Sequence, residues 1–373
     1  MAKIGLLDVT ATVSYGGLQT AIWQMAIALA DLGHEISVIG GEGSIEPDMK
    51  GRSIRVLTFP FRSREHFPNL GTRFRKLAER LSFLRHGRKA VAAESLDWII
   101  ITKPYDFLWP WLMPAKSTTR FAFLSGGTDF FRGDRILSKR VSAWFSCSHF
   151  NAWQIQNHYK IFPKVIFNGV DTNMFMPSEE GLNIRRDRGI AEHDIVFGFA
   201  GRLVGWKGLE IALRALSASE MQALPVKMLV IGTGPQEPFL KTLAQDLNIS
   251  DKIIFEGTVP HHELPRFYAA IDVGVFPSIA DEAFGITIAE AMSCGKPVIG
   301  SYIGGIPEVV GNEGRCGILC SPGNAEELTQ AMNTLASSLE LREAMGKAAR
   351  KRVESLYTWE LSAKRMLAEM TKI

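Results

Sequence analysis

An α/β fold of two doubly wound parallel-sheet domains, with a cleft between them, is predicted by three features of the sequence. Short β-branched runs alternate with helical patterns along nearly the whole chain, the rhythm of strands joined by crossover helices. That rhythm pauses once, at "PKVIFNGVDTNMFMPSEEGLNIRRDRG", where proline, glycine and polar residues cluster before a fresh strand begins near Asp194. A chain of 373 residues, 46% hydrophobic and 22% charged, is also long for a single core. The expected division is residues 1–170, residues 171–355 and a closing segment, residues 356–373.

In the first half, "KIGLLDV", "EISVIGG", "SIRVLTF", "DWIIIT" and "RFAFLSG" read as strands; in the second, "DIVFGFAG", "VKMLVIG", "KIIFEG", "VGVFPS" and "KPVIGS" do. The first helix follows two glycines, keeps apolar residues at a helical period through "GGLQTAIWQMAIALADLGHE" and stops at Gly33. Further on, "IADEAFG" is the loop after a strand, and a helix begins at Ile286, closed by Gly295 and Pro297. Ligands of doubly wound domains bind at the carboxyl ends of the strands, so these loops are where chemistry is expected.

No apolar run reaches the roughly 18 residues of a membrane span, and "MAKIGLLDVTATV" meets Asp8 too early for a signal peptide, so a cytoplasmic protein is expected. Cys147, Cys294, Cys316 and Cys320 are scattered, without CxxC spacing or neighbouring histidines, and read as reduced thiols that bind no metal. The net charge of +3 conceals a basic segment. Residues 51–90 hold nine arginines and two lysines against Glu65 and Glu79, a surplus of nine, which leaves the rest of the chain at −6. There Phe74, Leu77, Leu81 and Leu84 share one helical face while Arg73, Lys76 and Arg80 fall on another. Such a helix suits an anionic membrane surface or a lipid-linked acceptor, which would make the protein peripheral at the inner face of the cell membrane. A solvated basic face over an ordinary buried stripe fits the spacing equally well. No nucleic-acid motif accompanies the charge.

The stretch "DEAFGITIAEAMSCGKPVIGS" places Glu282 before a Phe284–Gly285 turn and Glu290 inside the following helix. Free N–H groups from Gly285, Ile286 and Thr287 at the helix start suit a phosphate, whereas the two carboxylates suit hydroxyls, such as those of a ribose and a hexose. The spacing alone also fits an acid favouring the helix dipole plus an ordinary helix glutamate. "FAGRLVGWKGLEIALRA" puts Arg202 and Lys207 on a strand-to-helix loop, a clamp for a diphosphate or two solvated cations. Gly16 and Gly17, between the first strand and first helix, allow close approach of a ligand phosphate. Gly232 and Gly234 in "VIGTGPQE" belong to an incomplete GxGxxG, with Glu237 in place of the last glycine, which argues against a dinucleotide-binding dehydrogenase. His261 and His262 in "VPHHELPRFY" read as solvated or capping histidines.

Together these residues resemble the family-four retaining glycosyltransferases. The resemblance runs through nearly the whole chain: the "GG" loop, "ALADLGHEISVI", "FNGVDTNMF", "AGRLVGWKG", "FEGTVPHHELPRFYAAIDVGVFPS", "DEAFGITIAEAMSCGKPVIGS", "GGIPEVV" and "YTWE", with Glu282 and Glu290 filling the motif E-x7-E. It implies the GT-B fold, with an acceptor-binding first domain, a donor-binding second domain and a closing helix that returns from the second to the first. It implies Glu282 on the donor hexose, Glu290 on the ribose, Arg202 and Lys207 on the diphosphate, and the backbone around Thr258 and Val259 on the nucleobase, with Gly232, Gly234 and Phe284 beside them. No cofactor or divalent metal is implied; the donor is a nucleoside diphosphate sugar, UDP sugars being the default. The hexose would pass, with retention, to a glycan or lipid-linked acceptor in cell-surface polysaccharide, lipopolysaccharide or glycolipid synthesis. One departure is that members of the family carry a histidine after the fifth strand, where this chain reads "FAFLSGGTDFFRG"; Asp129, or the backbone of Gly126 and Gly127, is the candidate for its place. That departure leaves room for a non-catalytic partner subunit or glycan-binding module. A sugar-nucleotide 2-epimerase on the same architecture is a further alternative.

Overall fold

The computed structural model describes every residue except 15, 48, 50, 115, 116 and 128. The chain forms two units, Met1–Gly169 with Trp359–Ile373, and Val170–Thr358. Among the described residues the first unit holds β1 (Lys3–Leu7), β2 (Glu35–Gly41), β3 (Ile54–Phe59), β4 (Trp98–Ile101), β5 (Arg120–Ser125), β6 (Ala143–Ser146) and β7 (Lys164–Val165) in a parallel sheet of order β3-β2-β1-β4-β5-β6-β7. The second holds β8 (Ile195–Ala200), β9 (Val226–Ile231), β10 (Ile253–Gly257), β11 (Val273–Phe276), β12 (Val298–Ser301) and β13 (Gly317–Cys320), again parallel, in the order β10-β9-β8-β11-β12-β13. Each order reverses once, between β1 and β4 in the first sheet and between β8 and β11 in the second. Loops leaving two such strands diverge to opposite sides and open a crevice at their carboxyl ends.

Helices cover both sheets because the strands are apolar on both faces. Ile4, Leu6 and Leu7 of β1 and Ile99, Ile100 and Ile101 of β4 are fully buried. Helix α1 (Gly17–Asp31) buries Ala21, Ile22, Met25, Ala26 and Leu29 and ends where Gly33 turns the chain at φ 85°. The helix Trp359–Met370 packs on α1. All four cysteines are buried and form no disulfide.

Helix α2 (Thr72–Ala93) departs from the surface-lying arrangement expected of it. Its buried residues are Glu79, Arg80, Phe83, Leu84, Gly87 and Val91, whereas Phe74 and Leu81 are exposed. Phe83 meets Trp109 edge-on at 5.7 Å, and Gly87 lets the helix approach Phe59 and Trp109 closely. Arg80 is not a membrane contact: it is 6% exposed and lies over the β1/β4 reversal, bonding Asp8 at 3.0 and 3.1 Å and also Asp106. Lys76 likewise turns inward, bonding both oxygens of Asp129 at 2.7 and 2.8 Å. Of the three basic residues only Arg73 faces outward. Burying a guanidinium is tolerable only with carboxylate partners, and those partners are supplied by loops 72 and 26 residues away in the chain.

One guanidinium between two buried carboxylates can neutralise only one of them, and the two carboxyls divide accordingly. Burial alone would raise Asp8, but the Arg80 charge and bonds from Thr10 and Thr102 outweigh it and hold Asp8 at about 2. Burial raises Asp106 to about 7, against the pull of Arg80, and its Oδ1 has no partner. The signs are opposite. Asp8 contributes stability present above its unfolded value near 3.9 and lost as pH falls through about 2; Asp106 contributes stability present below about 3.9 and lost as pH rises through about 7. Arg80→Met, which removes the guanidinium bonded to buried Asp8, is expected to cost about 3–5 kcal/mol in urea unfolding. Asp106→Asn is expected to flatten the decline in unfolding free energy between about pH 4 and pH 7, measured by the same titration across pH.

Candidate functional site

The β8/β11 reversal carries the acids and cations that the sequence singles out. Beyond β8 the chain turns through Gly201 to Arg202, forms a single helical turn at Gly205–Lys207 and enters the helix Leu209–Leu216. Beyond β11 it passes Pro277–Phe284 and enters the helix Ile286–Ser293 from Gly285, whose φ of 94° turns the backbone. The two loops are sewn together: Ile279 N–H donates to the Trp206 carbonyl at 2.9 Å. Gly208, at φ 69°, lies so close that a Cβ there would sit 1.9 Å from the Pro277 carbonyl oxygen. A third loop closes against them, with Gly305 N–H donating to the Glu282 carbonyl at 2.7 Å.

This packing brings Lys207 and Glu282 into a direct ion pair, with each side chain less than a fifth exposed. Lys207 also stands 4.6 Å from the centre of the half-exposed Trp206 ring. Arg202 differs: its guanidinium is exposed and makes no hydrogen bond or ion pair among the described residues. The Ile286 and Thr287 N–H groups likewise donate to nothing among the described residues, leaving two free donors at the positive end of a helix dipole. Cations and free helix amides suit an anion, and the carboxylate of Glu282, beside Lys207, offers acceptors for hydroxyls.

Glu290, one turn into the helix, is 3% exposed. One carboxylate oxygen lies 2.8 Å from His261 Nε2, and the other accepts from the Tyr268 hydroxyl at 3.3 Å. His261 is therefore neither the solvated nor the capping histidine that its position before a helix suggests, because its partner lies 29 residues away in the chain. Phe284 contributes no side chain to the site: its ring is 2% exposed and packs edge-on against Tyr357 at 5.4 Å. Gly232 and Gly234 serve backbone packing, since a Cβ on either would fall 2.0 Å from the Gly201 carbonyl or 2.3 Å from that of Leu203. Exposed Thr258, with Val259 after it, follows β10 and stands 3.1 Å, oxygen to oxygen, from the Thr233 hydroxyl of the β9 loop.

The remaining candidates belong to the first unit. Gly16 and Gly17 are exposed at the start of α1. Asp129 is bonded by Lys76 and lies 3.9 Å from Lys103 Nζ, whose own pKa burial lowers; the carboxylate that stands as candidate for the family histidine's place is thus engaged by ammonium groups. Where the family's histidine would follow β5, the Ser125 hydroxyl donates to the Gly127 carbonyl at 3.0 Å.

The family described as glycosyl transferases group 1 matches residues 182–352, and glycosyltransferase family 4 matches residues 15–174. The chain belongs to the family-four, group 1 glycosyltransferases. Among solved structures, sucrose-phosphate synthase from Thermosynechococcus elongatus superposes at a TM-score of 0.82 with 21% identity, covering 100% of this chain and 99% of that one. HepE of Anabaena, solved with UDP and glucose, gives 0.80 with 22% identity over 100% of both chains. Both support the two-domain GT-B fold. A D-inositol 3-phosphate glycosyltransferase of Thermobifida fusca is 30% identical over 249 residues, 64% of this chain and 56% of that protein. The chain spans about half the length, or less, of the curated relatives it matches first.

Gly208→Ala is expected to destabilise the protein by about 2 kcal/mol or more, because both its φ and the Pro277 carbonyl oppose a Cβ. Gly205→Ala, whose Cβ would meet only Gln236 Nε2 at 3.9 Å, is expected to stay within about 0.5 kcal/mol. Urea unfolding of the two variants side by side checks the contrast.

Proposed function

We propose that this glycosyltransferase moves a hexose from a nucleoside diphosphate sugar, with UDP as the nucleotide, to a glycan or lipid-linked acceptor, with retention and without a metal ion. The observation that carries the reading is the Lys207 ammonium, paired with Glu282 next to a helix start that has two free N–H groups, together with an exposed Arg202 on the same loop as Lys207. Such groups match a diphosphate in charge and in donor type. The UDP and glucose bound by HepE lend the choice of nucleotide support. In the reaction the bond between the anomeric carbon and the diphosphate oxygen breaks, the acceptor oxygen bonds that carbon on the same face, and the acceptor proton passes to the departing phosphate. Arg202, Lys207 and the helix N-terminus stabilise the negative charge that grows there. Glu282 and Glu290 accept hydroxyls from the hexose and the ribose. Lys207→Ala and Glu282→Ala are each expected to lower turnover by on the order of a hundredfold or more. Near-normal release of UDP by either variant, or a loss of wild-type activity in EDTA, would sink this mechanism; an inverted product anomer, read by NMR, would sink retention.

The outward face of α2 supports an acceptor held at an anionic membrane. Phe74 is 40% exposed and Leu81 39%, and Arg73 is exposed beside Phe74. Apolar side chains flanked by a cation suit a bilayer interface. Replacing Arg73 by Glu together with Phe74 and Leu81 by Ser is expected to abolish co-sedimentation with phosphatidylglycerol vesicles while unfolding stays within about 0.5 kcal/mol; unaltered sedimentation would make that face plain surface.

A further inference from the structure

The helix bearing Glu290 packs against the segment His261–Ala270, and their contact is polar at one place only among the described residues: His261, Glu290 and Tyr268. The Tyr268 hydroxyl, 1% exposed as a residue, bridges the Glu290 carboxylate and the Thr287 carbonyl at 3.2 Å. The His261 ring is held from the other side by Phe175, with centroids 5.2 Å apart. A glutamate side chain on a helix ordinarily samples several rotamers; here two partners, each packed by an aromatic neighbour, leave it one.

We propose that His261 is a positioning residue for the nucleotide sugar: its imidazole, acting with the Tyr268 hydroxyl, fixes the Glu290 carboxylate so that the hydroxyls of the ribose meet preset acceptor oxygens. This rests on the reading that Glu290 binds the ribose. A carboxylate oxygen accepting one hydrogen bond keeps a second lone pair, so both oxygens of Glu290 remain able to accept from ligand hydroxyls. Preorganisation of this kind raises affinity by removing the ordering cost from the binding step. It also couples binding to the charge on His261. Burial lowers the imidazole pKa, but the hydrogen bond and charge of Glu290, with a smaller contribution from Asp171, outweigh burial and raise it overall. The other titratable groups about it are Tyr268 and Cys294, both neutral because burial pushes them up, and the adjacent His262 and Glu263. The ion pair contributes stability that is fully present below about pH 6.5 and lost as pH rises through the raised value. The charge-assisted bond to Glu290 follows the same course, so donor affinity falls with rising pH.

The test measures affinity of the full chain for UDP-glucose, GDP-mannose, dTDP-glucose and ADP-glucose by calorimetry from about pH 6 to about pH 8.5, a range in which the diphosphate ester does not titrate. For whichever sugar binds, wild-type affinity is expected to fall with pH. His261→Gln, which still donates but cannot ionise, should bind within about threefold of wild type with a flat profile, and His261→Ala should bind about tenfold more weakly. By reciprocity, saturating donor should raise the His261 pKa followed by NMR, a shift that a purely structural histidine would not show. If Glu290→Ala weakens binding while His261→Ala does not, or the His261 pKa is unmoved by ligand, the proposal is overturned and the ribose reading survives. Undiminished affinity in Glu290→Ala, or no binding of any of the four sugars by wild type, overturns both.

Discussion

The ion pair of Lys207 and Glu282 depends on, and reports, the register of three loops at the carboxyl ends of the second sheet. A lysine and a glutamate 75 residues apart meet because the strand order reverses between β8 and β11, because Ile279 is tied to Trp206 through their backbones, and because nothing larger than a hydrogen fits at Gly208. The chemistry attached to the site follows from that geometry. Lys207 is held by Glu282 close to the free amides of a helix start, the arrangement that the proposed diphosphate and sugar contacts need. Preorganised charges of this kind do not have to be reorganised during the reaction, which is why they contribute so much to catalysis.

The first sheet meets the same topological situation with different chemistry. At its reversal, between β1 and β4, the crevice is filled by the chain's own Arg80, clamped by Asp8 and Asp106 with Thr102 and Thr10 completing the bonds to Asp8. One carboxyl stays protonated over much of the pH scale, a division that burial and the bonds Asp8 receives from Arg80, Thr10 and Thr102 impose on the two acids. The two crevices thus show how one architecture can use its reversal point either to anchor a helix or to expose a site.

Much of this was legible in the sequence, and what was not is instructive. The ten β-branched runs are all strands. Three further strands, β6, β7 and β13, were not among them: "KV" is only two residues, too short to show a period, and "AWFS" and "GILC" contain no run of β-branched residues. Arg80 was read as outward-facing because helical spacing knows only its neighbours on the helix, while its burial is decided by carboxylates on two other loops. The role of His261 was invisible for the same reason. By contrast Glu282 and Lys207 stand out in the sequence because a loop between a strand and a helix has a local signature, even though their pairing is tertiary.

The path of the chain carries a consequence for how the protein is made. The second unit is one continuous stretch, Val170–Thr358, and its two ends are paired by a hydrogen bond from Val170 N–H to the Tyr357 carbonyl at 2.8 Å and a bridge between Val170 and Thr358. The first unit is discontinuous: α1 is covered by the helix Trp359–Met370, which the ribosome makes only after the whole of the second unit. Synthesis and completion therefore run in opposite order. The half translated first must wait, with an apolar helix face uncovered, until the half translated second can already be folded, and it is during that interval that the nascent chain is most exposed to aggregation and most dependent on chaperones.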